Sequence, residues 1–180
     1  PGADEFAKVN GLDLVPNGYF SAKTQQPESK QSHFGTVGAV ALDQKGNIAA
    51  GTSTGGLAGK KFGRIGDSPI IGAGTYAENT TCGISCTGQG EFFIRRAVAF
   101  DVSAQIKHAE KSLEDAARAT LATVTKDGGK GGLIGLNQEG TIMAEYNTPS
   151  MVRGWIGFDG VPQVAIFEKP LKATAVKDPK

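Results

Sequence analysis

Gly35-Thr36-Val37-Gly38-Ala39-Val40-Ala41-Leu42-Asp43 is the stretch whose reading decides this chain. A small residue and a threonine stand directly before an apolar run. Taken alone, Thr36 is a β-branched residue opening a strand, an ordinary place for threonine. The arrangement has a second use. If the bond before Thr36 is cut, the threonine becomes an N-terminus. Its free α-amine then stands beside its own hydroxyl as a general base, and no histidine is needed. From Ser21 to Ser32 the chain is almost wholly polar. That composition favours a mobile loop, which would serve equally as a plain linker or as a tether into a scissile bond.

Working outward, Val37 to Leu42 predicts a mostly buried strand, Asp43-Gln44-Lys45-Gly46-Asn47 a turn, and Ile48 to Ser53 a returning strand. Thr54-Gly55-Gly56 ends the hairpin, and residues 57–69 form a Gly- and Lys-rich loop. Two more strand-like runs follow, Ile70 to Tyr76 and Cys82 to Thr87. Thr87-Gly88-Gln89-Gly90 is a tight corner. A helix is predicted from near Glu91, with Phe93, Ile94, Ala97, Val98, Val102 and Ile106 on one apolar face. Ser112-Leu113-Glu114-Asp115 resembles a capping signal for a second helix, whose inner face is Leu113, Ala116, Ala117, Leu121 and Val124. Asp127 to Gly132 breaks the pattern. Leu133 to Leu136 and Ile142 to Tyr146 form a hairpin around residues 137–140, and Val152 to Phe158 and Val164 to Phe167 are final strands. At the other end, residues 1–12 suit a short helix and Leu12 to Val15 a short strand stopped by Pro16-Asn17-Gly18. The lysine-rich tail from Lys169 should fray. Four strands, two helices, then more strands is not the alternation of a parallel doubly wound fold. The order predicts an α+β chain with antiparallel sheets covered by helices.

Composition narrows the function. The 180 residues suit one domain with a substantial core. The net charge of +1 gives no field that would draw nucleic acid or a membrane surface. No apolar run approaches the roughly 20 residues of a membrane-spanning helix, and no signal peptide is visible. These point to the cytoplasm. The periplasm stays open, because the first residue is Pro1 rather than Met. The 26 glycines, without a collagen period, predict many tight turns. Cys82 and Cys86, four apart on one strand, would lie about 13 Å from each other, too far for a disulfide. Buried free thiols are the simpler reading. With His33 and His108 they give no zinc spacing, so no metal site is predicted.

The reactive groups are few. Gly88-Gln89-Gly90 has no lysine, and in Gly128-Gly129-Lys130-Gly131-Gly132 a glycine stands where a phosphate loop needs a magnesium-binding hydroxyl. What remains is Thr36, the hydroxyls of Thr52, Ser53 and Thr54, the pair Arg64 and Asp67, and the corner Thr87-Gly88. Arg64 could fork onto a carboxylate and Asp67 could take an ammonium, together holding an α-amino acid. Alternatively, the two simply pair with each other across a loop. Gly88 could aim a backbone N–H, beside the Thr87 hydroxyl, at a developing oxyanion. It could equally be a plain turn.

Five blocks, in order, carry a resemblance: Gly35 to Asp43; Thr52-Ser53-Thr54-Gly55-Gly56; Gly63-Arg64-Ile65-Gly66-Asp67-Ser68-Pro69; Gly72-Ala73-Gly74-Thr75-Tyr76-Ala77; and Cys86-Thr87-Gly88-Gln89-Gly90-Glu91. From Gly35 to about Phe167 the chain resembles the β-subunit of plant-type L-asparaginases (isoaspartyl aminopeptidases), of the N-terminal nucleophile hydrolases. Residues 1–35 resemble the end of the α-subunit and its linker, with residues 36–180 as the catalytic β-part. The resemblance implies an αββα four-layer sandwich, of which this chain is the β-subunit half. It implies Thr36 as nucleophile, freed by self-cleavage at Gly35–Thr36, with its amine as base and Thr54 tuning both. It implies Arg64 on the substrate α-carboxylate, Asp67 on its α-ammonium, Thr87 and the Gly88 N–H as oxyanion hole, and Gly90 lining the charged end through its backbone. The implied reaction hydrolyses isoaspartyl dipeptides and L-asparagine to release L-aspartate. It uses no cofactor, although the family's α-subunit often holds a structural sodium ion. Implied partners are the α-subunit of the same precursor, a second αβ unit to make a dimer, and a small amino-acid or dipeptide substrate. A glycosylasparaginase resembles the same blocks, but Gly35 in place of aspartate before the threonine leans away from it. A non-catalytic relative acting as a binding protein is the third reading. While Thr36 remains joined to Gly35 its nitrogen is an amide and cannot act as a base, so the uncut chain should be inactive.

Overall fold

A computed structural model of the chain describes residues 2–14, 35–60 and 63–167. The chain forms two units, Pro1–Gln31 and Ser32–Lys180. The described part of the first is a helix, α1 (Gly2–Val9), where the sequence predicts one; beyond it the Leu12 N–H donates to the Ala7 carbonyl at 2.8 Å. The strand expected at Leu12–Val15 is not formed at residues 12–14. Val15, the Pro16-Asn17-Gly18 turn, the polar stretch 21–32 and the tail from Lys169 lie outside the described residues.

The second unit opens with the expected hairpin, β1 (Thr36–Leu42) antiparallel to β2 (Ile48–Thr54), in a register that sets Leu42 against Ile48 and Thr36 against Thr54. Asp43 ties the turn. Its carboxylate accepts from the Lys45 and Asn47 backbone N–H groups and from the Asn47 amide, each at 2.8 Å. Side chains alternate across a strand, so Thr36, Gly38, Val40 and Leu42 share a face with Ile48, Ala50, Thr52 and Thr54. That face lies on a second sheet: a Cβ at Gly83 would stand 2.6 Å from Ile48 Cγ2 and 3.7 Å from Val40 Cγ1. The other face is open, with Val37 72% exposed. β1 is therefore not the mostly buried strand its apolar run predicts, because alternate residues face solvent.

The second sheet has the order β3 (Thr75–Ala77), β4 (Cys82–Gly88), β5 (Gly131–Asn137), β6 (Ile142–Tyr146), all antiparallel. Helices α2 (Gly90–Arg96), α3 (Val98–Ala109) and α4 (Leu113–Lys126) cover its far side. The core between them includes Ile84, Cys86, Phe93, Val98, Val102, Leu133 and Met143, all 1% exposed or less. Each large apolar side chain so buried contributes about 1.5–3 kcal/mol. A last hairpin pairs β7 (Arg153–Ile156) with β8 (Pro162–Ala165). Hairpin, sheet and helices make three layers, an α+β arrangement with antiparallel sheets covered by helices.

Two predicted elements change. Of the run Ile70 to Tyr76, only the end belongs to a strand. Before it, the N–H groups of Ala73 and Gly74 both turn back onto the Ile70 carbonyl, and Gly72 takes φ +90°. The helix predicted from Glu91 is two helices, broken at Ala97, which adopts the left-handed conformation at φ 46°. Ala97 thus leaves the apolar face and is exposed, whereas Phe93, Val98 and Val102 are buried. The second predicted helix holds: Ser112 caps α4 by accepting the Asp115 N–H at 3.1 Å, and all five inner-face residues are buried. Cys82 and Cys86 are free and buried on β4. Burial pushes the Cys82 thiol up to about 12 and the Cys86 thiol well up too, which keeps both protonated and inert.

Candidate active site

The hairpin register brings the two threonines together. Opposite residues of an antiparallel pair stand with Cβ atoms about 5 Å apart on one face, and here the Thr36 hydroxyl donates to Thr54 Oγ1 at 3.3 Å. Thr54 Oγ1 also accepts the Gly56 backbone N–H at 2.9 Å, so the turn that ends β2 fixes its orientation. One step further in, Thr52 Oγ1 lies 2.7 Å from Ser85 Oγ and donates to the Gly74 carbonyl at 3.1 Å. These bonds fasten the hairpin to the sheet beside the threonine pair. Gly38 leaves room for them, since a Cβ there would overlap the Ser85 hydroxyl.

Arg64 and Asp67 do not pair with each other through hydrogen bonds, which corrects the simple alternative for these residues. The Arg64 fork is taken by Glu91 in the first turn of α2, with Nε donating to Oε1 at 2.7 Å and Nη2 to Oε2 at 3.0 Å. Those bonds raise the Arg64 guanidinium and hold the Glu91 carboxyl below the usual carboxylate range. Asp67 stands apart and is only 4% exposed. Its Oδ2 is buried with no hydrogen-bond partner among the described residues. Burial pushes its carboxyl up, its own backbone N–H, the charge of Arg64 and the Ser68 N–H oppose that, and the charge of Glu91 adds to it. A buried polar atom without a partner costs about 1–3 kcal/mol, more when charged, so Asp67 is poised for a cationic donor.

The corner after β4 begins at Gly88, the last residue of the strand, which pairs with Gly131. Gly88 takes φ +150°, and a Cβ there would stand 2.5 Å from the Lys130 carbonyl, so no other residue fits. Gly90 is pressed against Asp67, where a Cβ would lie 2.7 Å from its Oδ1. Thr87 shares a strand face with Gly83 and Ser85, the face the hairpin covers, two residues beyond Ser85 toward the threonine pair.

One small cleft gathers Gly35, Thr36, Thr54, Arg64, Asp67 and Gly88. Thr87 and Gly90 are not among its lining residues; they flank it through Gly88 and Asp67. A larger groove of about 770 Å³, between β1, β5, β6 and the last hairpin, contains none of the predicted site residues. Among the described residues no group of three or more His, Cys, Asp and Glu side chains gathers as metal ligands. Nor is any helix among them long and apolar enough to cross a membrane. Sequence reasoning misses the role of Glu91. It is 27 residues from Arg64 in the chain, and only its place as an acid opening a helix marks it.

A hairpin packed on an antiparallel sheet thus sets two threonine hydroxyls beside a carboxylate and a guanidinium in one cleft. An asparaginase family model matches residues 4–166, and the chain belongs to that family. It is 39% identical to an isoaspartyl peptidase of Escherichia coli (strain K12), over 93% of this chain and 59% of the relative. It is 44% identical to an isoaspartyl peptidase of Salmonella typhimurium, over 93% of this chain and 60% of the relative. With a probable isoaspartyl peptidase/L-asparaginase 2 of Arabidopsis thaliana it shares 38%, over 93% and 62% respectively. The chain thus spans about three fifths of the length of these relatives.

Proposed function

We propose that the protein is a self-processing threonine amidohydrolase that cleaves isoaspartyl dipeptides and L-asparagine, releasing L-aspartate. The observation that carries this is the Thr36 hydroxyl, 3.3 Å from Thr54 Oγ1, in a cleft shared with Arg64, Asp67 and Gly88. Family membership and the isoaspartyl peptidase relatives support it.

Water first breaks the Gly35–Thr36 bond, leaving a carboxylate on Gly35 and an amine on Thr36. An α-amine titrates at about 7.7–8, so near neutral pH much of it is available as a base. It takes the Thr36 hydroxyl proton as Oγ1 attacks the side-chain amide carbon. The tetrahedral oxyanion is held by the Gly88 N–H and the Thr87 hydroxyl. The leaving amine takes the proton and departs, and a β-aspartyl ester remains on Thr36. Water, deprotonated by the same amine, hydrolyses the ester and restores the hydroxyl. Arg64 binds the substrate α-carboxylate and Asp67 its α-ammonium, with the Gly90 backbone alongside. Nucleophile and base belong to one residue, so the chemistry needs no cofactor.

In this reading residues 1–35 are the end of an α-subunit and its linker, and residues 36–180 the β-subunit. The working protein is then a dimer of αβ units, with any structural sodium ion held by the α-subunit. Net charge near neutrality fits a small-molecule substrate rather than nucleic acid or a membrane, and two free cysteines fit the cytoplasm.

The test combines intact-mass measurement of the full-length protein with product analysis on an isoaspartyl dipeptide, L-asparagine and a glycosyl-asparagine. The expected result is a new N-terminal Thr36 and aspartate from the first two. Preferential turnover of the glycosyl-asparagine would make it a glycosylasparaginase. Processing and turnover both unaffected by Thr36→Ala would sink the mechanism.

A further inference from the structure

Glu91 grips Arg64 and is not among the residues lining the cleft. The Arg64 side chain is 18% exposed against 54% for Glu91, so the carboxylate sits on the solvent side of the guanidinium rather than on the cleft side. Its two bonds use Nε and one hydrogen of Nη2. A guanidinium has five N–H donors in a fixed plane. What Glu91 leaves free is the edge formed by Nη1 and the second Nη2 hydrogen, itself wide enough for a bidentate carboxylate. The grip has an electrostatic consequence as well. Among the described residues Arg64 is the one cation lining the cleft, and Glu91 offsets much of its charge in place. That leaves Asp67 as the uncompensated charge at this end.

Resting on the proposed reading of the cleft as an amino-acid site, we propose that Glu91 is a positioning and specificity-determining residue. It fixes which edge of Arg64 meets the ligand, and it offsets the arginine charge so that the site favours a ligand carrying both carboxylate and ammonium over a plain carboxylate. With Arg64, Glu91 and Asp67 all ionised, the recognition end carries one net negative charge. An ammonium is drawn to that field, so of two dicarboxylates the one that carries an ammonium is favoured over the one that lacks it. The field of Glu91 reaches Asp67, whose carboxyl it helps to raise.

The probes are L-aspartate and succinate, which differ only in the ammonium. Their dissociation constants are measured by calorimetry on the full-length processed protein, so the reading does not depend on turnover. The wild type should bind aspartate far better than succinate. Glu91→Gln should shrink that ratio about tenfold, as expected for one charge removed at close range in a partly buried site. Loss of Arg64 alignment alone weakens both ligands equally and leaves the ratio unchanged, so an unchanged ratio overturns the proposal, as does equal binding of both ligands by the wild type. Glu91→Asp keeps the charge but withdraws it by one methylene. It should weaken both ligands with a ratio near the wild type, and it supplies the reading if Glu91→Gln does not process. Failure of the wild type to hydrolyse isoaspartyl dipeptides would count against the function reading instead, and is read separately from the binding ratio.

Discussion

Asp67→Asn tests how the site uses a buried carboxylate. Asp67 is 4% exposed, and its Oδ2 has no hydrogen-bond partner among the described residues. Its carboxyl is raised, first by burial, with its own backbone N–H and Arg64 opposing and Glu91 adding. A group whose folded value lies above its unfolded value of 3.8 favours folding only while protonated. Its contribution is complete below 3.8 and is lost as pH rises through the folded value. At neutral pH the ionised form of this buried carboxylate therefore costs stability. Asparagine carries no charge and should stabilise the protein there by about 1 kcal/mol, the scale usual for relieving a functional site, which is about 2–4 °C in Tm for a unit of this size. At pH 3 wild type and variant should melt together, with the gap opening as pH rises. The same change removes the partner of the substrate ammonium. Breaking one side of a buried charge pair costs about 3–5 kcal/mol, so kcat/KM for an isoaspartyl dipeptide should fall about 10²- to 10⁴-fold. Thermal melts from pH 3 to 8, with kinetics at neutral pH, make the check. A variant that loses activity with no gain in Tm at pH 7 would refute the strained-carboxylate argument. One that gains Tm with kcat/KM unchanged would refute the role in recognition.

Thr54→Ala removes the acceptor of the Thr36 hydroxyl and of the Gly56 N–H; self-cleavage and turnover should both slow about 10²-fold by intact mass and product release, on the scale of a lost proton-positioning group. Ser112→Ala deletes the α4 cap bond to Asp115 and should cost about 1 kcal/mol in denaturant melts, with activity unchanged. Ala97→Gly relieves a left-handed residue at φ 46° between α2 and α3. It should raise stability by about 1 kcal/mol, whereas a loss would mean that the break between the helices is not strained.

What the sequence made legible was whatever depends on short-range pattern. The hairpin follows from two strand-like runs, Val37 to Leu42 and Ile48 to Ser53, around a turn, whereas the pairing of Thr36 with Thr54 comes from the register the structure shows and was implied in the sequence only by the family resemblance. The inner face of α4 follows from helical spacing alone. Patterns failed where a neighbour or one backbone angle decides. Ala97 fits the apolar period, but a left-handed angle removes it from the helix. The run at Ile70 looks extended by composition, but glycines let it fold back on itself. Val37 reads as buried because apolarity in sequence does not say which face is covered. The Arg64–Glu91 pair spans a loop and a helix start 27 residues apart, so no spacing rule reaches it.

In the proposed mechanism the hairpin also explains why two threonines, rather than a histidine-bearing triad, would carry the chemistry. A triad assembled from distant elements needs each member positioned separately. Here one register sets both hydroxyls, because slipping β1 against β2 by a single residue would move one threonine to the opposite face. Two devices hold that register. Asp43 closes the turn with three hydrogen bonds at the far end, and Thr52 binds Ser85 and Gly74 one step from the pair. The hairpin is thus fastened to the buried sheet on the side of Thr36, while its other face, with Val37, stays open. The base is the one element such a hairpin cannot supply. Strand residues have their nitrogens committed as amides, and only a residue that starts its own chain has an amine. The Gly35–Thr36 bond therefore lies where breaking it adds a base to a hydroxyl whose position the fold has already fixed.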